Sequence, residues 1–139
     1  MPGPIVIVGA GQAGVRAALA LRDAGFDGPV TLLGAEPVPP YERPPLSKGL
    51  LTGERDPENC TIASTEALAE RRVAFHPATT AVAIDRDRRL VRSSDGGGHS
   101  FARLLLATGR RPRRLDLPPD LAPLAHELRH LEDARAFSR

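Results

Sequence analysis

Apolar positions along the chain follow two different periods. "PIVIV" (Pro4–Val8) is a short run rich in β-branched residues, the pattern of a strand covered on both faces in a parallel sheet. In "VRAALALRDAG" (Val15–Gly25) the apolar residues recur at helical spacing and stop at a glycine, a common helix end. "PVTLLG" (Pro29–Gly34) is a second strand-like run. The first 36 residues therefore predict strand, turn, helix and strand, one βαβ unit.

Beyond Gly34 the pattern breaks up. A Pro-rich loop runs from Pro37 to Pro45. Its prolines predict no helical hydrogen bonding until after Pro45, with a short helix starting in Leu46–Leu51. "STEALAERR" (Ser64–Arg72) reads as a helix capped by Ser64, with Ala67 and Leu68 turned inward. From Val73 to Gly109 the chain reads as several short strands separated by the turns "RDRR" and "DGGGHS". They predict a β-meander that leads back to the main sheet. A loop with Pro112, Pro118, Pro119 and Pro123 follows, and "HELRHLEDARAFSR" (His126–Arg139) reads as helical. The class is α/β, with no internal repeat.

Composition narrows the function classes. A length of 139 residues suits one compact domain with a real core. An apolar content of 41% excludes a disordered chain. No apolar run approaches the roughly 20 residues that span a bilayer, and the N-terminus has no basic leader segment. Cys60 is the only cysteine, so no internal disulfide can form. The expected compartment is the cytoplasm, with no membrane association. The net charge is +2 and aromatics make up 4%. Nucleic acid binding wants a broad basic face with stacking aromatics, so that class is disfavoured. The run "RRPRR" (Arg110–Arg114) reads first as an exposed loop and second as a docking patch for an acidic protein.

Candidate chemistry begins at "GAGQAG". Gly9, Gly11 and Gly14 match G-x-G-x-x-G between a strand and a helix, and Glu36 lies 22 residues beyond Gly14. Gly9 permits the tight turn, Gly11 lets a pyrophosphate approach the backbone, and Gly14 lets helix and strand pack closely. The helix start supplies free N–H groups and a positive dipole end. Glu36 can accept from ribose hydroxyls and disfavours a 2′-phosphate there. The pattern fits the ADP half of FAD or NAD(P) and does not choose between them.

The second candidate is "YERPPLSKGLL" (Tyr41–Leu51), which holds the chain's only tyrosine and only lysine, Lys48, in a sequence with 18 arginines. In order, "GAGQAG", "YERPPLSKGLL", "LLLATGRRPR" and "LRHLEDAR" resemble the N-terminal part of the FAD-dependent ferredoxin or rubredoxin reductases, a family of pyridine nucleotide oxidoreductases. The resemblance covers essentially the whole chain. It implies a Rossmann-like FAD-binding domain, a βαβ with parallel sheet plus β-meander. Gly9, Gly11, Ala13 and Gly14 would contact the FAD pyrophosphate. Glu36 would hold the adenosine ribose, although the family's acidic residue can sit one place earlier, where this chain has Ala35. Arg43 would lie along the dinucleotide, Ala81 would meet the adenine through its backbone, and Thr108 and Gly109 would close over the cofactor. Arg129 would also reach FAD. Lys48, the catalytic candidate, would sit beside the isoalloxazine N5 edge. A compact ammonium there stabilises negative charge on the reduced ring better than a guanidinium does.

The same resemblance sets limits. It calls for a second βαβ with its own glycine motif for NAD(P)H, a returning FAD-domain segment, and a C-terminal interface domain. Residues 1–139 are thus expected to form the first segment of a FAD/NAD(P)-binding domain, incomplete at its C-terminus. The expected reaction passes electrons from NAD(P)H through FAD to a ferredoxin or rubredoxin-type acceptor, with the segment inactive alone. Alternatives are a stand-alone FAD or nucleotide-binding module and one half of a split oxidoreductase completed by a second chain. An unrelated NAD-binding protein is a weaker reading. A single cysteine excludes a dithiol mechanism within the chain. His126 and His130, four apart on the expected helix, make a poor metal pair without a third ligand, so no metal is expected.

Overall fold

The computed structural model describes residues 2–137. They divide into two compact units. The first holds the chain through Tyr41 together with Ile62–Gly109, and the second holds Glu42–Thr61 together with the chain from Arg110 onward.

In the first unit, β1 (Ile5–Val8) leads into α1 (Gln12–Asp23), and β2 (Val30–Leu33) returns beside β1. Helix α2 (Thr65–Glu70) precedes β3 (Val73–His76). Then come β4 (Ala81–Asp85), β5 (Leu90–Ser93) and β6 (Gly98–Ser100), and finally β7 (Arg103–Leu106). The main sheet has the order β3-β2-β1-β7 and every pairing in it is parallel. The meander is a separate antiparallel sheet, β4-β5-β6. One detail differs from the sequence reading. β3 joins the parallel sheet instead of the meander, because helix α2 before it supplies the crossover a parallel strand needs. Ser64 caps α2 as expected, its Oγ accepting from Ala67 N at 3.1 Å.

The unbroken apolar run of β1 is explained by burial on both faces. Ile5 and Ile7 pack with Val15, Ala18, Leu32 and Leu68 on the helical side. Val6 and Val8 pack with Leu33 and Val91 on the meander side. The alternation follows from the two-residue period of a strand.

Arg22 near the end of α1 ties this layer together. Its Nη1 donates to Phe26 O (2.6 Å) and Gly28 O (2.8 Å), its Nε to Arg71 O (3.0 Å), and its Nη2 to Arg72 O (2.6 Å). The planar fork satisfies carbonyls from the turn after α1 and from the end of α2 at once, which an ammonium cannot do. Arg22→Ala is expected to lower the unfolding free energy by about 2–4 kcal/mol, with Arg22→Lys recovering less than half of the loss. Urea denaturation measures this, and a loss below about 0.5 kcal/mol, the scale of ordinary surface changes, would show that the carbonyls are satisfied equally well by water.

In the second unit, a 3₁₀ turn at Pro44–Ser47 starts on the prolines themselves, with Leu46 N donating to Arg43 O at 3.0 Å. The sequence reading placed the start after Pro45. Prolines are tolerated in a first turn because their missing N–H groups would have no helical acceptor there. A second 3₁₀ turn spans Pro57–Cys60. The final helix, α3 (Leu131–Phe137), is shorter than expected. Residues 125–129 are not helical, so His126 and His130 do not share a helical face. Of the expected helix, Ser138 and Arg139 lie outside the described residues. No helix among the described residues is long and apolar enough to cross a membrane.

Candidate functional site

The glycine motif occupies the carboxyl end of β1, and each glycine meets a different requirement. Gly9 has φ +110°, and a Cβ there would lie 2.2 Å from Ala107 O. The start of the loop after β7 therefore presses directly on the turn after β1. Gly14, the third residue of α1, would place a Cβ 1.9 Å from Gly9 O. Gly11 is the opposite case: a Cβ there would meet nothing within 4 Å. It is also the N-cap of α1, no side chain caps that helix, and its first turn carries no acidic residue. The open surface is thus a helix start with uncapped N–H groups and a bare backbone in front of it, the geometry an anionic pyrophosphate needs. Ala13, exposed in the first turn, borders the same surface.

Other expected residues of this unit gather on the same edge of the sheet. Thr108 and Gly109, both exposed, directly follow Ala107 after β7. Glu36 lies three residues beyond β2, where its Oε2 accepts from Tyr41 Oη–H at 2.5 Å. Its backbone carbonyl accepts from Ala78 N at 3.0 Å, and Gly34 O accepts from Thr79 N at 2.8 Å. These two bonds fasten the loop after β2 to the loop after β3. Ala81 opens β4 just beyond, half-buried against Val6, Val8, Leu33 and Val91. Glycine motif, Glu36 and the 108–109 loop thus all sit past the carboxyl ends of parallel strands, where open α/β sheets bind ligands.

Arg43, Lys48 and Arg129 belong to the second unit. Arg43 Nη1 donates to the backbone carbonyl of Arg129 and lies 3.3 Å from His130 Nδ1. Lys48 ends the 3₁₀ turn, with its N–H donating to Pro45 O and its carbonyl accepting from Thr52 N, each at 3.0 Å. Its side chain is exposed, while Pro45 and Leu46 beneath the turn are buried.

Sequence reasoning missed two residues and one contact here. Tyr41 entered only as part of the motif. Arg43 was expected along the dinucleotide, and its bond to the Arg129 carbonyl was not foreseen. Asp133 was not singled out at all. Asp133 Oδ2 accepts from His130 N (2.7 Å) and Arg129 N (2.8 Å). The backbone bond from His130 is the leading reason its carboxyl is held below the usual carboxylate range. An acid at the third position of a helix reaching back to the N-cap N–H is half of a capping box, and "HLED" carries that signal.

Cys60 is buried and is the single free thiol. His126 stacks edge-on against Phe137 with centroids 5.4 Å apart. Among the described residues no three His, Cys, Asp or Glu side chains converge as a metal site.

Comparison with known proteins agrees with this layout. A family model described as pyridine nucleotide-disulphide oxidoreductase matches residues 3–139. Rhodocoxin reductase of Rhodococcus erythropolis is 40% identical over 96% of this chain and 31% of its own length. Rubredoxin-NAD(+) reductase of Pseudomonas putida is 39% identical over 97% of this chain and 35% of its own length. The crystal structure of a covalent putidaredoxin reductase–putidaredoxin complex matches with a TM-score of 0.91 at 39% identity, over 99% of this chain and 34% of that one. The chain spans about a third of the length of the curated relatives it matches. The α/β fold with its parallel sheet and antiparallel meander is that of these reductases' Rossmann-like domain, and the chain belongs to the pyridine nucleotide-disulphide oxidoreductase family.

Proposed function

We propose that residues 1–139 form the first FAD-binding segment of an NAD(P)H-dependent ferredoxin or rubredoxin reductase of the cytoplasm. The observation that carries this reading is the uncapped start of α1 behind Gly11, where a Cβ would meet no protein atom, on the same sheet edge as Glu36. Gly11, Ala13 and Gly14 hold the pyrophosphate through backbone N–H groups and the helix dipole, while Gly9, its N–H donating to Leu33 O at 2.9 Å, shapes the turn that lets the phosphates approach. Glu36 accepts from the adenosine ribose, and Ala81 offers backbone to the adenine. Thr108 and Gly109 close the turn over the cofactor. Arg43 and Arg129 contribute positive charge along the dinucleotide, and Lys48 steadies negative charge at the flavin ring. Bound FAD supplies the change from two-electron hydride acceptance to one-electron delivery toward an iron–sulfur or rubredoxin-type protein. The relatives named rhodocoxin and rubredoxin reductase support that class of acceptor.

The test is an FAD titration of the 139-residue chain, read by flavin fluorescence and the visible spectrum. A saturable, shifted spectrum is expected, with no NADH-dependent ferricyanide reduction, since a single dinucleotide motif is present. No binding at millimolar FAD sinks the reading for these residues. Diaphorase activity would contradict the proposed dependence on a second dinucleotide fold.

One observation favours a second reading, half of a split oxidoreductase completed by another chain. Ile5, Ile7, Ala17, Leu21, Leu104 and Leu105 line an apolar groove between α1 and the sheet. Strand β7, at the sheet edge, leaves Leu105 and Leu106 exposed. A polypeptide supplying another helix and strand would cover both. Co-purification of a second chain with its own G-x-G-x-x-G would support this, and FAD reduction by NADH without any added chain would exclude it.

A further inference from the structure

Resting on the FAD reading above, we infer that Tyr41 is a positioning residue for the adenosine ribose, acting through Glu36. The Tyr41 hydroxyl donates to Glu36 Oε2 at 2.5 Å, within the range of a charge-assisted O–H···O⁻ bond. The terminal torsion of a glutamate is broad and roughly two-fold. A carboxylate without a fixed partner must therefore be ordered each time a ligand binds, at a cost in side-chain entropy. The Tyr41 bond settles that orientation in advance.

Tyr41 is itself held still. It is 8% exposed, and the carbonyl of Pro40 before it accepts from Ile62 N at 2.7 Å. The connection from Glu36 to Tyr41 is "PVPP", in which three prolines each restrict φ to near −65°. Ala78 N fixes the Glu36 backbone from the other side at 3.0 Å. Carboxylate and phenol are thus brought together by stiff chain on both ends. The phenol donates its one proton to the carboxylate, and the carboxylate accepts from the ribose 2′- and 3′-hydroxyls.

Calorimetric titration with FAD, ADP and 2′,3′-dideoxy-ADP separates this role from packing. Tyr41→Phe keeps the buried ring and removes only the hydroxyl. It is expected to weaken FAD and ADP by about 3–10-fold, the range of one hydrogen bond. Binding of the dideoxy nucleotide, which has no diol to orient, should be unchanged. In a Glu36→Ala background, Tyr41→Phe should have no further effect on FAD. Equal weakening of ADP and dideoxy-ADP would mean a packing role and overturn the inference, as would unchanged FAD affinity. Wild-type chain that binds neither FAD nor ADP would remove the FAD reading and this inference together.

Discussion

Gly11→Val is expected to abolish FAD binding and leave the chain folded, whereas Gly14→Val is expected to prevent folding altogether. The two glycines lie three residues apart in one motif, and the surrounding atoms give them opposite roles. Gly11 has φ −76° and ψ −175°, an extended conformation open to any residue, and a Cβ on it touches nothing. Valine is a poorer N-cap than glycine, so stability should fall by no more than about 1 kcal/mol. The added methyls would fill the approach to the helix N–H groups, and FAD affinity should fall by at least roughly 100-fold, the scale of losing the main anion contacts. At Gly14 a Cβ lies 1.9 Å from Gly9 O and 3.3 Å from Ile7 Cγ2. Backbone cannot yield there as a flexible side chain would, so even Gly14→Ala should cost about 3 kcal/mol or more. Circular dichroism melts and FAD titrations on both variants make the comparison. An unchanged dissociation constant in Gly11→Val would place the pyrophosphate elsewhere.

The contrast shows what the sequence makes legible. Strand–glycine turn–helix–strand was readable because each element follows from local rules: β-branched runs, helical spacing and a terminal glycine. The meander was readable from turn signals at "RDRR" and "DGGGHS". The allocation of β3 to the parallel sheet was not, since "VAFH" has the same alternation in either sheet and only pairing with β2 decides. The C-terminal helix was overread for a similar reason. "HELRHLEDAR" has good helix formers throughout, but Asp133 captures the N–H groups of Arg129 and His130 and sets the start at Leu131.

Candidate site residues divide the same way. Gly9, Gly11, Gly14 and Glu36 are fixed by spacing within one βαβ unit, so sequence distance translates into spatial distance. Tyr41, five residues from Glu36, lies within the same local reach, but a proline run specifies a stiff connection and not which side chains meet across it. The Arg43–Arg129 bond spans 86 residues, and no local pattern encodes it. Such a contact links two distant Pro-rich stretches into one compact unit, where the motif "RPPLSK" is presented.

On the proposed FAD reading, in which Lys48 lies beside the flavin ring, Lys48→Ala is expected to lower the two-electron midpoint potential of bound FAD by on the order of 30–60 mV. The lysine ends a turn whose backbone is fixed on both sides, at Pro45 O and at Thr52 N, so its ammonium projects from a defined base. Two unit charges about 4 Å apart interact by about 4 kcal/mol at an effective dielectric near 20. Exposure of the side chain cuts this to a fraction, and each 1.4 kcal/mol is about 30 mV for a two-electron couple. Removing the cation destabilises the more negative, reduced ring, which fixes the sign: the potential falls. Lys48→Arg keeps the charge but spreads it over a planar, bulkier group, so its potential should lie between those of the wild type and the alanine variant. Raising salt from about 0.05 to 1 M should shrink the difference, because the Debye length drops to about 3 Å. Dye-coupled reductive titration of the FAD-loaded chain reads all three proteins. Identical potentials would mean that the only lysine in a chain of 18 arginines is a solvated surface residue, and that charge at the flavin is set by other groups.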